Sequence, residues 1–251
     1  MSGPMDRWND GTSRILRVAA LAVGVLSIGP SFHLSGLAAQ LGHDPAHSPY
    51  RDIAHGTGFI FFAGHLSGGR GKAGVGPSNA LSAGLRYEMP LGRAIASQFT
   101  AAYLKGDRFI VNPAVDSTSP NRRTGPADAG LLFTEIALQL RLTGGKTWHG
   151  VSPYLGSGLG LAFDLHSPGD TTKSEYRFGT KVTFSASAGL RWYPARKMVV
   201  QLDGRLAWWR LKYPPSFKSP APDGSRVIPL TQPPTDWTRH PWVSLGIGWI
   251  F

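Results

Sequence analysis

The chain contains no cysteine. Neither a disulfide framework nor a thiolate-ligated metal centre can be built from it, so stability has to come from backbone hydrogen bonding and burial. Charge is sparse as well: Asp, Glu, Lys and Arg make up 16% of the residues, against about a quarter in an ordinary soluble domain. Beyond the N-terminal region no uninterrupted run of about 18 apolar residues occurs, so no helix of this sequence is expected to span a bilayer. Hydrophobic residues nonetheless reach 41%, which excludes disorder as the reason for so few charges. If such a chain crosses a membrane, it has to do so as a closed barrel, the other structure that satisfies every backbone group in lipid.

The N-terminus has the layout of an export signal. Arg7, Arg14 and Arg17 precede the apolar run Val18–Ile28, Pro30 ends it, and Gly36-Leu37-Ala38 offers small residues for cleavage after Ala38. The expected organisation is a signal peptide over 1–38, a periplasmic lead-in over 39–55 and a barrel over 56–251.

Within 56–251, eight segments place apolar residues at every second position: 56–66, 78–88, 93–105, 129–142, 151–165, 179–193, 198–212 and 241–251. The last puts Val243, Leu245, Ile247, Trp249 and Phe251 on one face and Ser244, Gly246, Gly248 and Ile250 on the other. The polar face of the set is rich in Gly and Ser with single charged residues. That suits a lumen only wide enough for side chains to fill. A soluble lipocalin-like barrel would reverse the pattern, with an apolar interior and a charged exterior. The connections alternate long (67–77, 106–128, 166–178, 213–240) and short (89–92, 143–150, 194–197), the asymmetry of long outer loops and short periplasmic turns. The fold class expected is all-β, an eight-stranded antiparallel up-and-down transmembrane β-barrel.

Three stretches resemble the small outer-membrane barrels related to the OmpA transmembrane domain: PYLGSGLGLAFDL (153–165), SASAGLRWYP (185–194) and VSLGIGWIF (243–251). The resemblance implies an outer-membrane location. It also implies that Phe251, Trp249 and Ile247 form the signal read by the barrel-assembly machinery.

By strand parity, the lumen is expected to hold Arg86, Glu88, Glu135, Arg141, Asp164, Arg191, Asp203 and Arg205. Charges withdrawn from water need partners, so this row reads as a salt-bridged plug, with a polar gate for small solutes as the alternative. Six aromatics, Tyr87, Tyr103, Trp192, Trp208, Trp242 and Trp249, are read as interfacial belts. The formal charge of +11 is expected to meet lipopolysaccharide phosphates, with Arg122, Arg123, Lys212 and Arg239 as contact candidates; nucleic acid is not an expected partner of an exported barrel. His65 and Ser67 share a face near a lipid edge, the arrangement a lipid A-modifying enzyme would need, but no acidic orienter is evident. His43, His47 and His55 are read as incidental rather than metal-binding. No catalytic residue, metal or cofactor is assigned. The function expected is structural, in envelope integrity or surface interaction. A narrow channel for small or hydrophobic solutes is the alternative.

Overall fold

The computed structural model describes residues 48–53, 56–166 and 175–251. The expected signal segment, most of the lead-in with His43, His47 and His55, and Lys173 lie outside the described residues. Among the described residues ten strands form: β1 Tyr50–Asp52, β2 Gly58–Leu66, β3 Ser78–Pro90, β4 Ile95–Val111, β5 Arg123–Arg141, β6 Lys146–Trp148, β7 Val151–His166, β8 Lys181–Ala195, β9 Met198–Lys212 and β10 Thr235–Ile250.

Eight of them, β2 to β5 and β7 to β10, close into an antiparallel barrel. Each pairs with its sequence neighbour, and β10 returns to β2 from Trp242↔Leu66 to Ile250↔Gly58, so the wall has no edge. The alternation of the sequence becomes two faces. Leu245 and Ile136 project outward, 59% and 62% exposed, while Arg86 and Glu135 point inward with 0% and 2% exposure. The turns follow their local chemistry. Leu91 N–H and Gly92 N–H both donate to the Ile95 carbonyl, and Ala195 pairs with Met198 across a two-residue hairpin of Arg196 and Lys197.

Two loops are shorter than the sequence reading gave. β4 and β5 run on past 105 and 129 as a paired arm, with Asp107↔Asp128 and Val111↔Arg123 in register, which reduces the second long loop to 112–122. Polar, glycine- and proline-containing residues hide this arm from any apolar alternation. β10 begins at Thr235 rather than 241 and pairs with Lys212. Pro241 reads as a boundary, yet it removes only one donor from the ladder. Upstream of it Trp237 and Arg239 continue the outward face, and Thr238 and His240 the inward one.

Part of the lead-in also folds. β1 pairs with β6, inside the expected 143–150 turn, through Tyr50↔Trp148, Arg51↔Thr147 and Asp52↔Lys146. Ile53 N–H then donates to Gly145 O at 3.0 Å, and the Ile53 side chain is buried.

Candidate functional site

Inside the barrel the side chains sort into three tiers between the short turns and the long loops. Nearest the short turns, Glu88 is gripped by two guanidiniums: Arg141 donates to it at 2.5 Å and Arg191 at 2.6 Å. Arg191 also donates to Gln139 and its guanidinium lies 4.9 Å from the centre of the Tyr154 ring. A cavity of about 10 Å³ opens below this cluster, bounded by Gly58, Ile60, Glu88, Arg141, Arg191 and Val199, roughly the room one water needs.

The middle tier centres on Asp203, which accepts from Arg86 at 3.0 Å and from the Tyr154 hydroxyl at 2.6 Å. Arg205 Nε lies 3.4 Å from the same carboxylate, and its Nη1 donates to Glu135. Arg86 also donates to the Ser244 hydroxyl at 2.8 Å, and Gln201 donates to Tyr154 at 2.5 Å. Tyr154 can reach Asp203 because residue 189 on the adjoining strand is glycine: a Cβ there would stand 2.4 Å from the Tyr154 hydroxyl.

Seven of the eight expected lumen residues thus meet in one network, and Asp164 does not. It lies at the outer end of β7, beside a register shift in the β5–β7 pairing, half-buried and close enough to Lys181 for their charges to interact. The network therefore holds four guanidiniums against three carboxylates rather than equal numbers. Aromatic faces help to accommodate the surplus positive charge: the Arg86 guanidinium sits 4.0 Å from the Phe62 ring centre and that of Arg205 5.7 Å from Trp242.

Toward the long loops the lumen turns apolar. Phe62, Leu66, Leu104, Leu131, Phe133, Trp209 and Trp242 are all buried in one cluster. Trp242 is therefore no belt residue. It shares the inward parity of Ser244, packs edge-on against Phe133 at 5.2 Å and donates from its indole to Ser82 at 2.9 Å. Trp209 stacks on His240 with ring centres 3.6 Å apart. The other five belt candidates are exposed or half-buried.

The long loops close over this cluster, contributing Val75, Tyr176, Phe178, Tyr213, Phe217 and Ile228 to the same core. Burial and the neighbouring Asp236 carboxylate push the Tyr213 phenol up to about 12. Across the top, Asp223 clasps the 112–122 loop: Ser117 donates to it from both N–H and hydroxyl at 2.8 Å, and Asp223 N–H donates to Asp116 at 3.1 Å. The hydrogen bonds from the Ser225 hydroxyl and from Ser117 hold the Asp223 carboxyl well below the usual carboxylate range.

The basic candidates divide. Arg122 donates to the Pro113 and Val115 carbonyls, and Arg123 lies over the Phe109 ring at 3.8 Å, so the fold itself occupies both. Lys212 and Arg239 are exposed on the outer wall. Arg210, which the sequence reading passed over, joins them there: it faces Trp237 across the β9–β10 pair, one step from Arg239 facing Trp208. His65 points outward between Leu81 and Val243, with no carboxylate paired to it among the described residues.

Tyr154 was the main polar residue missed within the lumen, although its parity with Gly156, Gly158 and Gly160 marks it as inward. The loop aromatics carried no such signal.

No protein-family model and no curated protein matches the sequence. The structure is similar to that of the outer membrane protein OprG from Pseudomonas aeruginosa, 14% identical, with 80% of this chain and 98% of that chain covered and a TM-score of 0.49. It is also similar to Neisserial surface protein A, at 13% identity, 81% and 98% coverage and a TM-score of 0.45. Ail, the attachment invasion locus protein of Yersinia pestis, matches at 14% identity, 79% and 100% coverage and a TM-score of 0.36.

Proposed function

We propose that this chain is an exported outer-membrane β-barrel, sealed along its axis, that serves envelope integrity or surface interaction through its wall and outer loops. The observation that carries the reading is the double closure of the lumen, by a charged network in one half and a loop-capped aromatic core in the other. A selective pore carries rings of one charge sign around a water path. Here charges of opposite sign hold one another, and the tier above them is filled mainly by aromatic and aliphatic side chains.

The wall supports the membrane placement. Its exposed face is dominated by Leu, Ile, Val, Phe and Trp on all eight strands, far more apolar surface than a soluble monomer leaves open. Phe251, Trp249 and Ile247 lie on this exposed face, available to the assembly machinery before insertion. Arg210, Lys212 and Arg239 supply cations at the outer rim for lipopolysaccharide phosphates.

Planar-bilayer recording tests the seal. The native barrel should conduct little, and neither Trp242→Ala nor Glu135→Ala alone should open it, because each leaves the other tier in place. Their combination should raise conductance. Large, steady conductance from the unaltered protein would instead favour a channel for small solutes.

A further inference from the structure

The end of the barrel beneath the short turns carries a charge pattern that the lumen does not use. Arg51, Arg93, Lys146, Arg196 and Lys197 are all exposed there, and among the described residues Asp52 is the only acidic side chain on the same segments. None of the five cations takes part in an ion pair among the described residues.

The lead-in strand fixes where this charge lies. Arg51 sits in the middle of β1, held against β6 by the Arg51↔Thr147 pairing, by Thr147 Oγ1 donating to Arg51 O at 3.3 Å and by His149 N–H donating to Pro49 O at 2.9 Å. On one side of Arg51 is a cleft of about 480 Å³, lined also by His149, Gly150, Trp192 and Tyr193. On the other is one of about 340 Å³ that shares Arg51, Gly150 and Tyr193 and adds Arg196, with the Asp52 carboxylate also on its lining. Trp192, 52% exposed, stands at the lower margin of the apolar wall, two residues from the outward Leu190 on the same strand.

We propose that these clefts hold the headgroup of an anionic phospholipid from the leaflet next to the short turns, its phosphate between Arg51 and Arg196 and its acyl chains along the wall above Trp192. The inference rests on the membrane reading given above. A lipid phosphate is covalently tied to hydrocarbon, so its site needs cations directly beside an apolar surface, with an amphipathic ring at the boundary. This rim has that order. A soluble anion would have no use for the wall. A zwitterionic headgroup brings its own cation, which the unpaired arginines would repel.

The test reconstitutes the protein in phosphatidylcholine nanodiscs doped with phosphatidylglycerol and measures, by native mass spectrometry, which lipid stays bound. The unaltered barrel should retain phosphatidylglycerol preferentially. A cation near an anionic lipid surface is worth about fivefold in affinity, so Arg51→Ala/Arg196→Ala should lower retention by about 30-fold. Arg51→Lys/Arg196→Lys should keep most of it. Arg226→Ala, exposed in a long loop at the other end, should change nothing. Arg196→Glu, on an exposed two-residue turn, gives the same readout without disturbing β1. Equal retention of both lipids by the unaltered barrel, or undiminished preference in the alanine and glutamate variants, overturns the proposal. Displacement of the lipid by excess inorganic phosphate also overturns it, and assigns the clefts to a soluble anion. Heat-modifiable mobility separates the two readings: a folded, inserted barrel without lipid preference removes the lipid site alone, whereas failure to insert removes the membrane reading.

Discussion

Cutting the ion pair between Glu135 and Arg205 interrogates the desolvation of the lumen. Both side chains are 0% exposed, so neither charge can turn to bulk water when its partner is lost. Removing one member of a buried pair costs about 3–5 kcal/mol, because the other charge is stranded. The two single variants should not be equal. In Glu135→Ala, Arg205 keeps the Asp203 carboxylate at 3.4 Å, although Arg86 and Tyr154 already use it, which places the cost near the lower limit, about 3 kcal/mol. In Arg205→Ala, Glu135 loses its only ion-pair partner among the described residues, which places the cost near about 4–5 kcal/mol. The double variant leaves no stranded charge and should be more stable than either single one, at about 2 kcal/mol below the native protein. Urea titration of the bilayer-reconstituted barrel, followed by tryptophan emission, reads all four corners of the cycle. Singles that each cost under about 1 kcal/mol, or a double variant that loses the sum of the two, would refute the reasoning. Either result would mean that water already hydrates the pair.

Leu245→Arg, on the exposed wall, should cost about 2–4 kcal/mol if it lies at the bilayer midplane, and should reduce the fraction of heat-modifiable barrel; normal folded yield would count against the lipid-facing assignment. Cysteines at Thr118 and Arg226, both exposed in the long loops, should react with a membrane-impermeant reagent on intact cells, whereas one at Arg196 should react only once the outer membrane is broken. The reverse pattern would invert the topology. Asp223 has a lowered folded-state pKa, so its clasp contributes stability above the unfolded carboxylate value, about 4, and loses it as pH falls through the depressed folded value. Hydrogen exchange in 112–122 and 213–234, corrected for the intrinsic pH dependence of amide exchange, should therefore be unchanged between neutral pH and pH about 5 and rise only in stronger acid. Asp223→Asn should raise it already at neutral pH.

The wall was legible from sequence because a barrel strand writes both faces into one period. Once Leu245 and Ile247 are placed outward, Ser244 and Gly246 have nowhere else to go. The same rule placed Arg86, Glu135 and Arg205 in the lumen, but parity says nothing of depth or of partner. Which carboxylate each arginine meets depends on the stagger of strands distant in sequence, as in Arg86 with Asp203. Asp164 shows the limit: it keeps the expected parity opposite the inward Leu131 but lies at the outer end of β7. The apolar outer tier was missed for a different reason. Its strand residues share parity with the polar row, and the loop side chains that cover them, Phe178 and Phe217 among them, follow no repeat at all. Trp242 shows both effects, being inward by parity yet aromatic enough to resemble a belt residue.

The seam between β2 and β10 constrains how the molecule comes to exist. Its two sides are the first and last strands of the barrel, so none of its hydrogen bonds can form until the last strand is available. Until then β2 is a bare edge, and the wall's Leu, Ile and Phe side chains have no hydrocarbon to meet. Such an intermediate is an aggregation template, and stepwise folding from the N-terminus gives it no refuge. On the membrane reading proposed above, the chain would have to be delivered whole in a shielded, unfolded form, with closure coinciding with entry into lipid. Damage to the seam should therefore show first as proteolysis of unassembled chain.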